Sequence, residues 1–188
     1  MYTLQIVIAS TRPGRQGPTV AAWMQEQALA HAKFDVELVD LAAFNLPIFD
    51  EPEHPRHAKY VHEHTKRWSA SVSRADAFVF VQPEYNFTAP PSLLNAMQYL
   101  FREWNYKPVG FCSYGGVSGG LRSVQAIKPI VTTLKLVPLL EQVSIHGLPK
   151  LIDKETGVFT PGEKAVKDAA AMLDELFRWT AALKTLRA

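Results

Sequence analysis

The sequence predicts an α/β protein: a doubly wound, five-stranded parallel sheet with helices on both faces. Three observations carry this expectation. Five short apolar runs alternate with segments whose apolar residues recur at helical spacing, as in consecutive βα units. No linker, repeat or low-complexity tract interrupts the alternation, so residues 1–188 read as one domain. The connections are short, which with right-handed crossovers favours strands wound outwards in both directions.

Thr3 to Ala9 is the first strand, and Val20, Trp23, Met24 and Ala28 mark one face of a helix running to about Ala32. Phe34 to Asp40 alternates as a second strand. A proline-marked segment from Leu41 to about Pro55 follows, then a helix over about Ala58 to Arg74 with Tyr60, Val61, His64, Trp68 and Val72 along one stripe. Ala77 to Val81 is a buried central strand. The helix after it has Pro90 or Pro91 at its start and Leu93, Leu94, Met97, Leu100 and Phe101 at helical spacing. Val109 to Cys112 is the fourth strand, and the helix from Leu121 to Leu134 bends near Pro129. Leu139 to Ile145 is the fifth. Asp153 to Gly157 signals a turn, and Pro161 opens the last helix, striped by Val166, Ala169, Leu173, Leu176, Phe177, Thr180 and Leu183.

Composition excludes several classes. The chain is 47% hydrophobic and 20% charged with a net charge of +2, ordinary for a soluble globular protein and too weakly basic to argue for nucleic acid. No apolar run approaches membrane-spanning length and no signal-like N-terminus is present, so the expectation is a cytoplasmic protein without a membrane partner. Cys112 is the sole cysteine, expected to be buried and inert. His57, His62 and His64 lack the i, i+4 spacing of helical metal ligands, and no metal site is expected.

Three polar turns follow strands at the edge where open α/β sheets bind ligands. The first, Ser10-Thr11-Arg12-Pro13-Gly14-Arg15-Gln16-Gly17-Pro18-Thr19, combines hydroxyls, two arginines and a helix N-terminus with free N–H groups, the makings of an anion site. It is neither a Walker A loop nor a G-x-G-x-x-G turn, and by itself it reads equally as a polar surface turn with solvated arginines. The second is Pro83-Glu84-Tyr85-Asn86, continuing to Pro90-Pro91-Ser92-Leu93-Leu94-Asn95-Ala96. The third, Ser113-Tyr114-Gly115-Gly116-Val117-Ser118-Gly119-Gly120, has four glycines in its last six residues, so its backbone can lie close against a ligand.

Together these turns resemble the NADPH-dependent FMN reductase family, which has azoreductase-, quinone-reductase- and chromate-reductase-like members. The resemblance spans about Leu4 to Leu136, and Pro-Glu-Tyr-Asn is its most specific part. It implies a flavodoxin-like fold, strand order 2-1-3-4-5, and FMN at the switch point between strands one and three. It assigns Ser10, Arg12, Arg15, Gln16, Gly17, Pro18 and Thr19 to the FMN phosphate, although Pro13-Gly14 can turn Arg15 towards solvent. Pro83, Glu84, Tyr85 and Asn86 would offer backbone groups to the ribityl chain and ring edge. Ser113, Tyr114, Gly115 and Gly116 would border the pyrimidine side. The sequence departs from the family at Ala9, where glycine is usual, and at Leu94 and Gln98, where lysine and aspartate are common.

The resemblance further implies NADPH or NADH as co-substrate, transfer of electrons to a quinone, azo, flavin or metal-oxyanion acceptor by a ping-pong route, no catalytic side chain, and a homodimer or homotetramer. The apolar loop of Phe87, Pro90, Pro91 and Leu93 offers surface for such assembly. Two other readings stand beside it. An electron carrier of the same fold would shield its flavin behind a docking surface, usually acidic, whereas this chain is mildly basic. A serine hydrolase would use Gly116-Val117-Ser118-Gly119-Gly120 as a G-x-S-x-G elbow, with Glu141 and His146 alone in the required order.

Overall fold

The computed structural model describes residues 1–187. Strands β1 (Tyr2–Ile8), β2 (Phe34–Asp40), β3 (Ala77–Pro83), β4 (Pro108–Gly115) and β5 (Val137–His146) form one sheet of order β2-β1-β3-β4-β5, with every neighbouring pair parallel. The helices are α1 (Gly17–His31), α2 (Leu41–Phe44), α3 (Glu63–Arg74), α4 (Pro91–Gln98), α5 (Leu121–Thr133) and α6 (Glu163–Lys184).

The period of two along the strands builds two cores. Leu4, Ile6 and Ile8 of β1 with Ala77, Val79 and Val81 of β3 face α1 and α6. Val7 and Ala9 with Phe78 and Phe80 face α3, α4 and α5. A strand buried on both faces needs apolar residues at every position, which is why Ala77 to Val81 reads as an unbroken run. Cys112 lies in the first of these cores, and burial pushes its thiol up to about 12.

Several boundaries differ from the sequence expectation. Helix α3 begins at Glu63, leaving Tyr60 and Val61 outside it. The cause is distant in sequence: the Glu51 carboxylate accepts the backbone N–H of Val61 at 2.9 Å and of His62 at 3.1 Å, fixing the chain extended before the helix. Strand β4 continues through Ser113 and Tyr114, expected in the turn, because both pair with β5. Helix α5 runs through Pro129 to Thr133. Helix α6 starts two residues after Pro161, at Glu163. The turn at Asp153 is as expected: its carboxylate accepts the N–H groups of Glu155 and Thr156, and Ile152 bridges Phe159.

At the amino-terminal end of the sheet, the buried Lys107 donates to the carbonyls of Val72 at 2.8 Å and Ser73 at 3.3 Å, closing the last turn of α3. Burial, aided by repulsion from Arg187, pushes this lysine from 10.5 down to about 7. The unfolded chain therefore binds this proton more tightly than the folded one between those values. The contribution to stability is fully present above pH 10.5 and is lost as pH falls through 7. Urea melts from pH 7 to 10 should show rising stability, and Lys107→Met should flatten that rise; an unaltered slope would show that the amine is not desolvated.

Candidate cofactor site

The three turns converge at the carboxyl ends of β1, β3 and β4. The Arg12 guanidinium lies 5.7 Å from the Tyr85 ring centroid, joining the first turn to the second. The Glu84 N–H donates to Tyr114 O at 3.0 Å, joining the second to the third. The Tyr114 hydroxyl reaches Ser10 Oγ at 3.3 Å, joining the third back to the first.

In the first turn the two arginines divide. Arg15 is committed: it donates to Ser10 O and makes a two-pronged pair with Asp40, Nη1 to Oδ1 at 2.7 Å and Nη2 to Oδ2 at 2.5 Å. Burial works to raise the Asp40 pKa, but hydrogen bonds from Arg15 and the Ala42 N–H outweigh it and leave the carboxyl below its ordinary value. Arg15 thus shapes the loop instead of turning to solvent. Arg12 is exposed and has no carboxylate partner among the described residues. Gln16 stands at the N-cap position of α1 without a side-chain capping bond, and the first turn carries Gly17, Pro18 and Thr19 and no acidic side chain.

Ser10 is fully buried beneath this turn, with the Tyr114 hydroxyl 3.3 Å from its Oγ. The reason is Gly17: a Cβ there would stand 2.3 Å from Ser10 Oγ and 3.0 Å from the Tyr114 hydroxyl. The glycine lets the N-terminus of α1 settle directly on the serine. Tyr114 is 7% exposed and points into the α1 side of the sheet, and burial pushes its hydroxyl up to about 12. Ser113 is buried too, donating to Gly119 O at 2.9 Å beneath the glycine-rich turn. The strand pleat sends the two side chains to opposite faces, where each packs beneath a turn.

The second turn is a two-residue hairpin. Tyr85 and Thr88 exchange both backbone hydrogen bonds, at 3.0 and 3.1 Å, around Asn86 at φ 48° and Phe87 at φ 69°. Asparagine tolerates this region, whereas phenylalanine is rarely found there. The Arg122 guanidinium covers the Phe87 ring at 3.6 Å. Pro83 O accepts Ser123 Oγ at 2.9 Å, and the N–H groups of Glu84 and Tyr85 are occupied, so Asn86 alone of the four keeps an uncommitted N–H among the described residues. Pro90 and Leu93 are buried within the chain, so of the expected apolar assembly surface only Phe87 and Pro91 are exposed.

Glu84 ties the second turn to the third. Its carboxylate accepts Arg122 Nε at 2.6 Å, the Arg122 N–H at 3.2 Å, and the Ser118 hydroxyl. Burial works to raise its pKa, and these bonds outweigh it and hold it below the usual carboxylate range. The hydrolase expectation fails at this point. Ser118 donates to a carboxylate already paired with arginine, while His146 Nδ1 lies 3.1 Å from Val117 O and its Nε2 faces Gly119. Among the described residues no imidazole accepts the Ser118 hydroxyl, which donates to Glu84.

Sequence reasoning missed Asp40 and Arg122. Asp40 pairs in register with Ile8, two residues before Ser10, so the strand order implied by the resemblance could have placed it beside the loop. Arg122 acts across elements, on Glu84, and left no local signal.

An all-parallel sheet of order β2-β1-β3-β4-β5, with an acid-free helix N-terminus at its switch point, defines a flavodoxin-like α/β protein. The profile of the NADPH-dependent FMN reductase family matches residues 2–149, and the chain belongs to that family. It is 43% identical over 117 residues to an NAD(P)H-dependent FMN reductase of Schizosaccharomyces pombe, covering 61% of this chain and 58% of that protein. It is 32% identical over 142 residues to the NAD(P)H-dependent FMN reductase LOT6 of Saccharomyces cerevisiae, covering 70% and 74%. Among solved structures, the flavoenzyme NAD(P)H:(acceptor) oxidoreductase FerB of Paracoccus denitrificans superposes with a TM-score of 0.75 at 19% identity, covering 97% and 98%.

Proposed function

We propose that this protein binds FMN across the three turns and catalyses two half-reactions on it, oxidising NAD(P)H and then reducing a small quinone, azo, flavin or metal-oxyanion acceptor. The observation that carries this is the division of labour in the first turn: Arg15 is spent on Asp40, which leaves Arg12 and the N-terminus of α1 for a phosphate. Arg12 and the N–H groups of Gly17 and Thr19 would hold that phosphate. The Asn86 N–H and the backbone of Gly115 and Gly116 would meet the ring edge. The bound flavin supplies the hydride chemistry. Side chains keep the turns in place: Glu84 bridges two of them, and Tyr114 braces the first from beneath.

No side chain is needed as acid or base, and none at the turns is set up as one. Glu84 is held as an ion pair, and the Tyr114 hydroxyl is buried with its pKa pushed up. One open site serves donor and acceptor in turn, which gives a ping-pong pattern. The purified protein, or the protein given FMN, should be yellow with about one flavin per chain. Double-reciprocal plots for NADH and a quinone should be parallel. Failure to bind FMN, riboflavin or FAD by calorimetry would remove the flavoprotein reading. Tight FMN binding without bleaching by either nicotinamide would leave the electron carrier in its place.

A further inference from the structure

A cleft of about 620 Å³ opens beside the first turn, between the segment after β2 and helix α4. Thr11 of the first turn is part of its lining, Leu41, Leu46 and Leu94 give it apolar walls, and Asn45 and Gln98 contribute amides. Neither of those amides is engaged among the described residues. The cleft is fixed by tertiary contacts. Asn95 Nδ2 donates to Pro47 O at 2.6 Å and its Oδ1 accepts the Phe49 N–H at 2.9 Å, while the Tyr99 hydroxyl donates to Pro47 O at 3.0 Å. These bonds hold the wall after β2 against α4.

We propose that this cleft receives the adenosine end of the nicotinamide dinucleotide, an inference that rests on the reductase reading above. The nicotinamide end must reach the ring where the three turns meet, so the rest of the donor must extend from that point along the carboxyl edge of the sheet. The cleft adjoins the first turn through Thr11. Its chemistry suits a purine: aliphatic side chains for the flat faces and two uncommitted amides for the polar edge. Its lining holds no Lys, Arg or His, so it has no ion pair for the phosphate that distinguishes NADPH from NADH, and it takes the adenosine of either.

The test compares NADH and NADPH with reduced nicotinamide mononucleotide, the same donor cut before its adenylate, by the rate of anaerobic bleaching of the FMN-loaded protein. In the wild type both dinucleotides should exceed the truncated donor in kcat/KM by about tenfold or more, about 1.4 kcal/mol. Ala42→Trp from one wall and Gln98→Trp from the other both substitute exposed residues into the cleft, and each should cut that preference at least threefold, to a similar degree for both dinucleotides. Flavin content and sedimentation should match the wild type. The assignment is overturned by equal use of long and short donors, by a preference that survives in either variant, or by a change in sedimentation, which would give the cleft to a second copy of the chain. Absence of bleaching by every donor, with FMN bound, sinks the reductase reading itself and this assignment with it.

Discussion

Replacing Gly120 by alanine is expected to destabilise the protein by about 2–5 kcal/mol, while the same change at Gly116 leaves stability within about 0.5 kcal/mol. Gly120 sits at φ 86°, in the left-handed region where a Cβ is strained. A Cβ there would also stand 2.7 Å from Tyr114 N and 3.0 Å from Tyr114 O, backbone atoms of a central strand that cannot give way. Gly116 has no atom within 4 Å of the added carbon. Thermal melts should separate the two by roughly 5–15 °C for a domain of this size. Because the Gly120 N–H also donates to Ser118 Oγ at 3.1 Å, its replacement should displace the turn and lower FMN affinity as well. Equal melting of the two variants would show that the turn relaxes freely, and that its shape is not set by the close approach to β4.

Arg12→Ala should weaken FMN by about 1.5–3 kcal/mol, the range for a hydrogen bond to a charged group, or about tenfold to a hundredfold. Riboflavin lacks the phosphate, and its affinity should barely change. Arg15→Ala should behave differently: it breaks the pair with Asp40 and the contact to Ser10 O, so the loop loses its shape and both ligands should suffer alike. Raising the salt concentration should narrow the FMN-over-riboflavin preference of the wild type. Calorimetric titrations of both ligands into both variants read all of this. If Arg12→Ala weakens the two ligands equally, the arginine supports the ring or the fold, and if it weakens neither, the phosphate lies elsewhere.

Much of this protein was legible in one dimension. The five apolar runs, the helical stripes and the three polar turns are local patterns, and local patterns follow from the periods of two and 3.6 that a sequence displays directly. Pro-Glu-Tyr-Asn and the glycine-rich turn marked the site because backbone that must bend sharply needs particular residues there. The sequence also shows both arginines in the first turn. It could not say which one was available. Arg15 and Arg12 differ only in what lies across from them, and Asp40 comes opposite Arg15 because β2 pairs with β1. The burial of Ser10 under Gly17 and against Tyr114 was likewise not readable from the sequence. Helix α3 lost its first turn to Glu51, and the cleft beside Thr11 exists because Asn95 and Tyr99 hold a distant loop. Composition and spacing thus determined the order and type of the main elements, and the resemblance of the three turns pointed to the family. Tertiary structure decided which polar groups remain uncommitted there, because a side chain's hydrogen-bonding capacity is used up by whichever partners the fold brings within about 3 Å, however far apart they stand in the chain.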